Sequence, residues 1–296
     1  MLWWIVTGVL GVGALCVAYG TAIEHTWFRL TRYRLDILPA GGGLSVLHLS
    51  DLHFQANDRR KARFLAGLPR ADVTVVTGDI LGEADAVEPV VAALRPVRGR
   101  LASYFVLGSN DYYLPRPTSY LRYFIPRIRP KRRRLTRSRE RELVEQLAAD
   151  GWVHLLNVRR EVSLDGTRLE VVGLDDPHIH RSDLRVAPRR SRDRFGLAVV
   201  HSPDPAPELA ALGYQLIVAG HTHGGQVRLP MVGALVTNSH MPRRMASGMF
   251  RLGPSYLHVS QGMGTSKYAP FRFLCRPEAT LLELRGVDGD GDGRAA

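Results

Sequence analysis

The chain has 296 residues, 45% hydrophobic and 23% charged, an ordinary globular balance that excludes a wholly disordered protein. Its formal charge is +12, but positions 122–141 hold ten Arg or Lys against one Glu, so most of the excess sits in one stretch and a basic coat over the whole surface is excluded. Only two cysteines are present, Cys16 and Cys275, which excludes a disulfide framework and a thiolate zinc site.

Residues 1–23 contain no charged side chain. As a helix rising 1.5 Å per residue they would extend about 35 Å, enough to cross a hydrocarbon core of about 30 Å. Trp3 and Trp4 near one end and Tyr19 near the other suit the aromatic belts of a bilayer. The run lacks the basic leading region of a cleaved signal peptide, so we read it as a transmembrane helix. Arg29, Arg32 and Arg34 follow it and no Lys or Arg precedes it, which predicts a single pass in the cell membrane with the main domain in the cytoplasm. Residues 24–43 read as a connecting strand and a glycine turn, and 44–286 as the main domain. No candidate ligand precedes Asp51, so a chain beginning near Glu24 is expected to remain active.

Within that domain, short apolar runs at 46–49, 73–77, 104–107, 153–156, 169–172, 197–200 and 216–219 predict buried strands. Helical patterns fall at 59–68, 86–94 and 139–149. Strands alternate with helices early and dominate later, which predicts a layered α/β architecture. The basic insertion 122–141 has Tyr123, Phe124 and Ile125 beside its charges. It reads as a solvated loop or as a patch for anionic lipid headgroups; nucleic acid is not expected, because no base-reading module accompanies it. The tail 287–296 repeats Asp-Gly without completing a calcium loop and is expected to be disordered.

The chemistry lies at the strand ends. Asp51 and His53 follow the run at 46–49, Asp79 the run at 73–77, Asn110 and Asp111 the run at 104–107, His201 the run at 197–200, and His221 and His223 the run at 216–219. Residues i and i+2 at a strand end point the same way, so Asp51 and His53 are expected to converge. Imidazole, carboxylate and amide oxygen without thiolate suit Mn, Fe or Zn. Asp51, His53, Asp79, Asn110, His201, His221 and His223 are too many ligands for one ion and suit two divalent or trivalent ions sharing a carboxylate, an arrangement that activates a water and clamps a phosphoryl group. Asp175, Asp176, His178 and His180 crowd behind another strand, either as a capped turn or as the substrate side of the pocket.

In order, Asp51-x-His53, Gly78-Asp79, Gly108-Ser109-Asn110-Asp111, His201 and Gly220-His221-Thr222-His223 resemble the calcineurin-like metallophosphoesterases, written D-x-H, G-D, G-N-H-D or G-N-H-E, H and G-H-x-H. The apolar N-terminus, Gly173-Leu174-Asp175-Asp176-Pro177, His223-Gly224-Gly225-Gln226 and Arg276-Pro277-Glu278 resemble a membrane-associated bacterial branch that includes hydrolases of lipid-linked nucleotide pyrophosphates. The resemblance implies a four-layer α/β/β/α sandwich behind the N-terminal transmembrane helix. It implies one ion on Asp51, His53, Asp79 and His223, and another on Asp79, Asn110, His201 and His221. It also implies a phosphodiester or pyrophosphate hydrolase, acting through a metal-activated hydroxide on a phosphorylated small molecule or lipid. The third motif departs from the family: an ungapped reading puts Ser109 on the ligand position and Asn110 on the family's His. We expect Asn110 to reach the ion, Asn110 and Asp111 to serve catalysis in that motif, and His178 or His180 to replace the missing acid. The departure also admits a different class, a catalytically weak phosphoryl-ligand sensor or membrane scaffold.

Overall fold

The computed structural model describes residues 2–115, 136–268 and 270–287. Most of the basic insertion (122–135) and the Asp-Gly tail from 288 onward lie outside the described residues, and so do the expectations placed on them.

Helix α1 (Leu2–Ala22) is exposed along most of its length and meets the rest of the fold at its C-terminal end, where Gly20 is buried. The span of which it is part, Trp3–Thr26, is 6% buried at its most apolar, and Trp3, Trp4 and Leu10 are exposed. A soluble core helix buries its apolar surface, and this one does not. It is long and apolar enough to cross a membrane.

The first sheet contains β1 (Arg29–Leu38), β2 (Gly43–Leu49), β3 (Val73–Thr77), β4 (Ala102–Val106), β5 (Val153–His154) and β14 (Glu278–Gly286), in the order β1-β14-β2-β3-β4-β5. The second contains β6 (Val158–Leu164), β7 (Thr167–Leu174), β8 (Phe195–Val200), β9 (Leu216–Ala219), β12 (Gly248–Leu252) and β13 (Ser255–Val259), in the order β12-β13-β9-β8-β7-β6. A small hairpin joins β10 (Arg228–Leu229) to β11 (Gly233–Ala234). Both sheets are mixed: β2, β3 and β4 run parallel, as do β7, β8 and β9, while β14 is antiparallel to β2 and β6 is antiparallel to β7.

The strands are apolar on both faces because both faces are covered. Val46, Val73, Val75, Tyr104 and Val106 of the first sheet pack on Val171, Leu197, Val199, Leu216 and Val218 of the second. The opposite face of the first sheet, with Leu47, Leu49, Val76 and Phe105, packs on α2 (Arg59–Ala66), α3 (Val87–Leu94) and α5 (Glu140–Ala149) through Leu65, Val90, Leu94, Leu143 and Leu147. The outer face of the second sheet is covered by the six-residue helix α6 (Ala206–Ala211) with the loops around Ala187 and Met245.

Segment 24–43 is more than a connection. Its strand β1 lies parallel to β14, and Arg29 and Arg34 pair with Glu278 and Glu283 of β14. The chain therefore closes on itself where α1 meets the domain.

Candidate metal centre

The ligand candidates stand where parallel strands end and the chain turns sharply. Asp51, His53, Asp79, His221 and His223 all have positive φ, between 39° and 69°. Such backbone is strained for non-glycine residues and concentrates at functional sites. The turns brace one another: the Asp51 N–H donates to the Gly78 carbonyl at 3.0 Å, the His53 N–H to the Asp79 carbonyl at 2.9 Å, and the Gly220 N–H to the His201 carbonyl at 2.8 Å. At Gly220 a Cβ would overlap Ser50 Oγ and Asp51 Oδ2, so glycine is needed for this approach.

Asp51, His53, Asp79 and His223 each direct a ligand atom into one cluster, with all of these atoms within 4.8 Å of one another. His53 Nε2 lies 3.1 Å from His223 Nε2 and 3.5 Å from Asp79 Oδ2, while His223 Nε2 lies 3.6 Å from Asp51 Oδ1. On the other side of Asp79, Oδ1 is 3.7 Å from His201 Nε2, which is 3.1 Å from His221 Nδ1. Asn110 spans both oxygens of Asp79: its backbone N–H donates to Oδ1 at 2.9 Å and its side-chain amide to Oδ2, the oxygen that faces His53, at 2.6 Å.

The ring tautomers make the second cluster a fit for a cation. His201 Nδ1 lies 2.7 Å from the Thr77 carbonyl and His221 Nε2 lies 3.0 Å from the Asn238 carbonyl. A carbonyl only accepts, so these nitrogens carry the protons. The lone pair of His221 Nδ1 then faces His201 Nε2, which offers its own once deprotonated, both beside a carboxylate. Metal-ligating histidines are commonly oriented by such outer hydrogen bonds. Asp51 is braced from the interior by a buried polar chain. His258 Nδ1 meets His48 Nδ1 at 2.8 Å, His48 Nε2 meets Thr77 Oγ1 at 2.8 Å, Thr77 meets Ser50 Oγ at 2.7 Å, and Ser50 donates to Asp51 Oδ2 at 2.6 Å.

Burial opposes the charge on Asp79, yet the His201 and His53 imidazoles and the Asn110 hydrogen bonds outweigh it and hold the carboxyl well below its usual range. Burial lowers His53 and His223, and with the neighbouring His201 and His178 it brings His221 down to about 3. His201 differs: burial disfavours its charge, but Asp79, Asp176 and Asp51 raise it to about 9. In the metal-free protein this ion pairing adds stability that is fully present below pH 6.5 and lost as pH rises through about 9. An ion on the His201 side must displace that proton. Its affinity is therefore expected to fall by about tenfold per pH unit as pH drops below the His201 value, while the ion on the His223 side changes little. Stepwise Mn(II) titrations between pH 6.5 and 8.5 measure this; two equally pH-insensitive steps would contradict it.

The remaining candidates divide. Asn110, rather than Ser109, brings its side chain to Asp79, from helix α4 (Ser109–Tyr112). Asp111 is fully buried and braces backbone: Oδ1 accepts from the Ile80 and Leu81 N–H groups at 2.8 and 2.9 Å, and Oδ2 from the Gly108 N–H at 2.9 Å. With both oxygens occupied, Asp111 holds the third turn against the second, and we assign it no contact with substrate. His178 stands against His221, their ring centres 3.8 Å apart, with Nε2 3.6 Å from Asp204 Oδ2. His180 is exposed at the end of the same turn, with φ 57°.

Asp175 is structural, taken up by the Tyr112 hydroxyl and Arg181. Asp176 caps the turn through Oδ1, which accepts the His178 N–H at 2.8 Å, and leaves a buried Oδ2 without a protein partner. Sequence reasoning missed Asp204, the carbonyls of Thr77 and Asn238, and Arg272, whose Nη2 lies 3.5 Å from His223 Nδ1. Asp204 stands three residues after His201, the one local signal that pointed to it.

Residues 44–225 match the family described as calcineurin-like phosphoesterase. The chain is 26% identical over 297 residues to the uncharacterized metallophosphoesterase YkuE of Bacillus subtilis, covering 95% of each. It is 24% identical over 268 residues to phosphodiesterase YaeI of Escherichia coli, covering 88% of this chain and 90% of that one. It is 26% identical over 318 residues to UDP-2,3-diacylglucosamine pyrophosphatase LpxG of Chlamydia muridarum, covering 93% and 95%. The family match spans more than half of the chain and contains every turn that brings a ligand to the cluster, so this protein belongs to the calcineurin-like phosphoesterases, with a metal-binding centre of Asp and His side chains.

Proposed function

We propose that the chain hydrolyses a phosphodiester or pyrophosphate bond of a lipid-linked substrate at the cell membrane, using two ions drawn from Mn, Fe or Zn. The observation that carries this reading is the convergence of two donor groups on either side of Asp79. Bound there, the ions would activate a water and neutralise charge on the phosphoryl oxygens. The chain's own residues do the rest. Asp79 stands between the two groups, Asn110 fixes its carboxylate, and Thr77 and Asn238 hold His201 and His221 in the ligating tautomers. His178, beside His221 and backed by Asp204, delivers a proton to the leaving oxygen. Asp204 Oδ2 lies 3.6 Å from His178 Nε2. The activities named for YaeI and LpxG support the class of bond, and the exposed apolar α1 supports a substrate met at a membrane. Arg29, Arg32 and Arg34 after α1 favour a cytoplasmic domain. The basic stretch 122–141 would add attraction to anionic headgroups.

Asn110 in the place of the family's His also favours a second reading, a phosphoryl-ligand sensor or membrane scaffold that keeps its ions without turnover. A hydrolysis screen on the purified full chain, read by the monoester or alcohol product of each substrate and with metal content measured in parallel, separates the two. We expect hydrolysis of lipid pyrophosphates and activated diesters to exceed that of simple alkyl monoesters, because phosphate and aryloxide leave without a proton while an alkoxide depends wholly on the one from His178. Metal retention without hydrolysis of any substrate would favour the sensor, and alkyl monoesters cleaved as fast as pyrophosphates would contradict the leaving-group argument.

A further inference from the structure

We propose that the foot of α1 is a working part of the metal centre: Gly20 and Glu24 seat the loop that carries Arg272, and Arg272 positions His223. This rests on the dinuclear reading of the site and assigns one side of it to the membrane helix.

The contacts form an unbroken path. A Cβ on Gly20 would overlap the Phe271 ring and the Arg272 carbonyl, so α1 approaches this loop as closely as only glycine allows. The Gly20 carbonyl accepts the Arg272 N–H at 3.3 Å, and Tyr19 meets Phe273 edge to face at 6.4 Å between centres. One turn on, Glu24 is 1% exposed and accepts the backbone N–H groups of Leu274 (2.9 Å) and Cys275. A carboxylate buried without a cation beside it is costly unless such hydrogen bonds satisfy it.

Arg272 is fully buried, and among the described residues its guanidinium donates to backbone carbonyls rather than to a carboxylate. It donates to the carbonyls of Gln261 (2.9 Å), Gly262 (3.2 Å), Gly264 (2.7 Å) and Cys275 (3.1 Å). Its fork therefore ties 261–264 to 272–275. The first of these segments grips the metal turns directly: the Met263 N–H donates to the Ser50 carbonyl at 3.0 Å and the Gly264 N–H to the Asp51 carbonyl at 2.7 Å. The second reaches His223, with Arg272 Nη2 3.5 Å from its Nδ1 and Cys275 Sγ 3.2 Å from its carbonyl. The contact at 3.5 Å is packing against the back edge of the ring rather than a full hydrogen bond. A buried, unpaired guanidinium that collects four carbonyls makes sense as a clamp, because its rigid fork fixes several backbone groups at once.

Arg272 is thus a positioning residue for His223, and the seating of α1 conditions the ion held by Asp51, His53, Asp79 and His223. A chain beginning at Glu24 keeps the carboxylate and loses Tyr19 and Gly20, so the sequence-based expectation that it stays active becomes an expectation of weakened metal retention on that side.

The test measures metal binding, independently of turnover, in the full chain in detergent or lipid nanodiscs. Mn(II) is titrated into metal-stripped protein and followed by electron paramagnetic resonance, which separates a spin-coupled pair from a single ion. Wild type is expected to show the coupled pair. Glu24→Ala and Gly20→Val are expected to weaken one ion by about 10- to 100-fold, the usual cost of losing outer support, and to leave an uncoupled signal from the His201 side. Should Glu24→Ala not fold, Glu24→Gln is read instead; it keeps one acceptor oxygen, and a loss of about 3- to 10-fold is expected. Arg272→Lys, which keeps the charge without the fork, is expected to behave like Glu24→Ala. Leu10→Ala, on the exposed part of α1, is expected to match wild type. A coupled pair at wild-type affinity in Gly20→Val and in the folded Glu24 variant overturns the proposal. Failure of wild type itself to hold two ions would overturn the dinuclear reading instead, so the two failures are distinguishable.

Discussion

Replacement of Asp79 by alanine is expected to release both ions and abolish turnover, whereas His201→Ala should release mainly one. Asp79 stands between the two donor groups, with Oδ2 3.5 Å from His53 and Oδ1 3.7 Å from His201. Lewis-acid assistance to phosphoryl transfer is worth several kcal/mol, and each 1.4 kcal/mol is about tenfold, so a loss of about 10³-fold or more is expected. Elemental analysis of the purified variants checks the binding half of this statement. Full occupancy by two ions in Asp79→Ala would remove the shared-carboxylate assignment. The variant is expected to fold, because the neighbouring turns are also held by backbone hydrogen bonds such as His53 N–H to the Asp79 carbonyl at 2.9 Å, which alanine keeps.

The second large effect concerns the proton. The third motif has no histidine, and the imidazole that packs against His221 is His178, 3.8 Å away between ring centres. General acid catalysis contributes about 10²–10⁴-fold, and only for leaving groups that need a proton. His178→Ala is therefore expected to slow substrates with alkoxide leaving groups by that range and to spare aryl and pyrophosphate substrates. Asp204→Asn should act in the same direction and less strongly, since it removes the carboxylate 3.6 Å from Nε2 and leaves the ring itself. His180→Ala should change neither series, because that residue is exposed at the end of the turn. Rates plotted against leaving-group pKa read this directly: a steeper slope in His178→Ala is the expected signature, and an unchanged slope would mean that the proton comes from elsewhere.

The group Asp51, His53, Asp79 and His223 is legible in the sequence because each member follows an apolar run, and a parallel strand buried on both faces announces its own end. His201 and His221, the proposed ligands on the other side of Asp79, carry the same local signal. Asp111 misleads for a related reason: a carboxylate beside a ligand looks catalytic in one dimension, but its oxygens are held by the N–H groups of Ile80, Leu81 and Gly108, two turns brought together by β3 and β4. What stays hidden depends on distant pairing. Strand β14 lies between β1 and β2, and Glu278 meets Arg29 across 249 positions, a partnership that neither segment signals alone. Strands β6 and β12 also escape the apolar-run reading, as their exposed positions break it, and β13, though buried, is interrupted by Ser255 and His258. Arg272 is one of 40 Lys and Arg residues and acquires its meaning only from the four carbonyls that surround it. Gly20 looks like any glycine of an apolar helix until Phe271 and Arg272 are placed against it.

The most direct test of a metal-dependent phosphoryl hydrolase is turnover as a function of bound metal. Full-length protein is stripped of metal, Mn(II) is added back stepwise, and hydrolysis of bis(p-nitrophenyl) phosphate is followed while bound metal is counted. Activity absent at the start, rising as the second ion per chain binds, and lost again on chelation is the result predicted by two donor groups sharing Asp79. No hydrolysis of this activated diester with both ions bound, or hydrolysis that survives chelation, would contradict it.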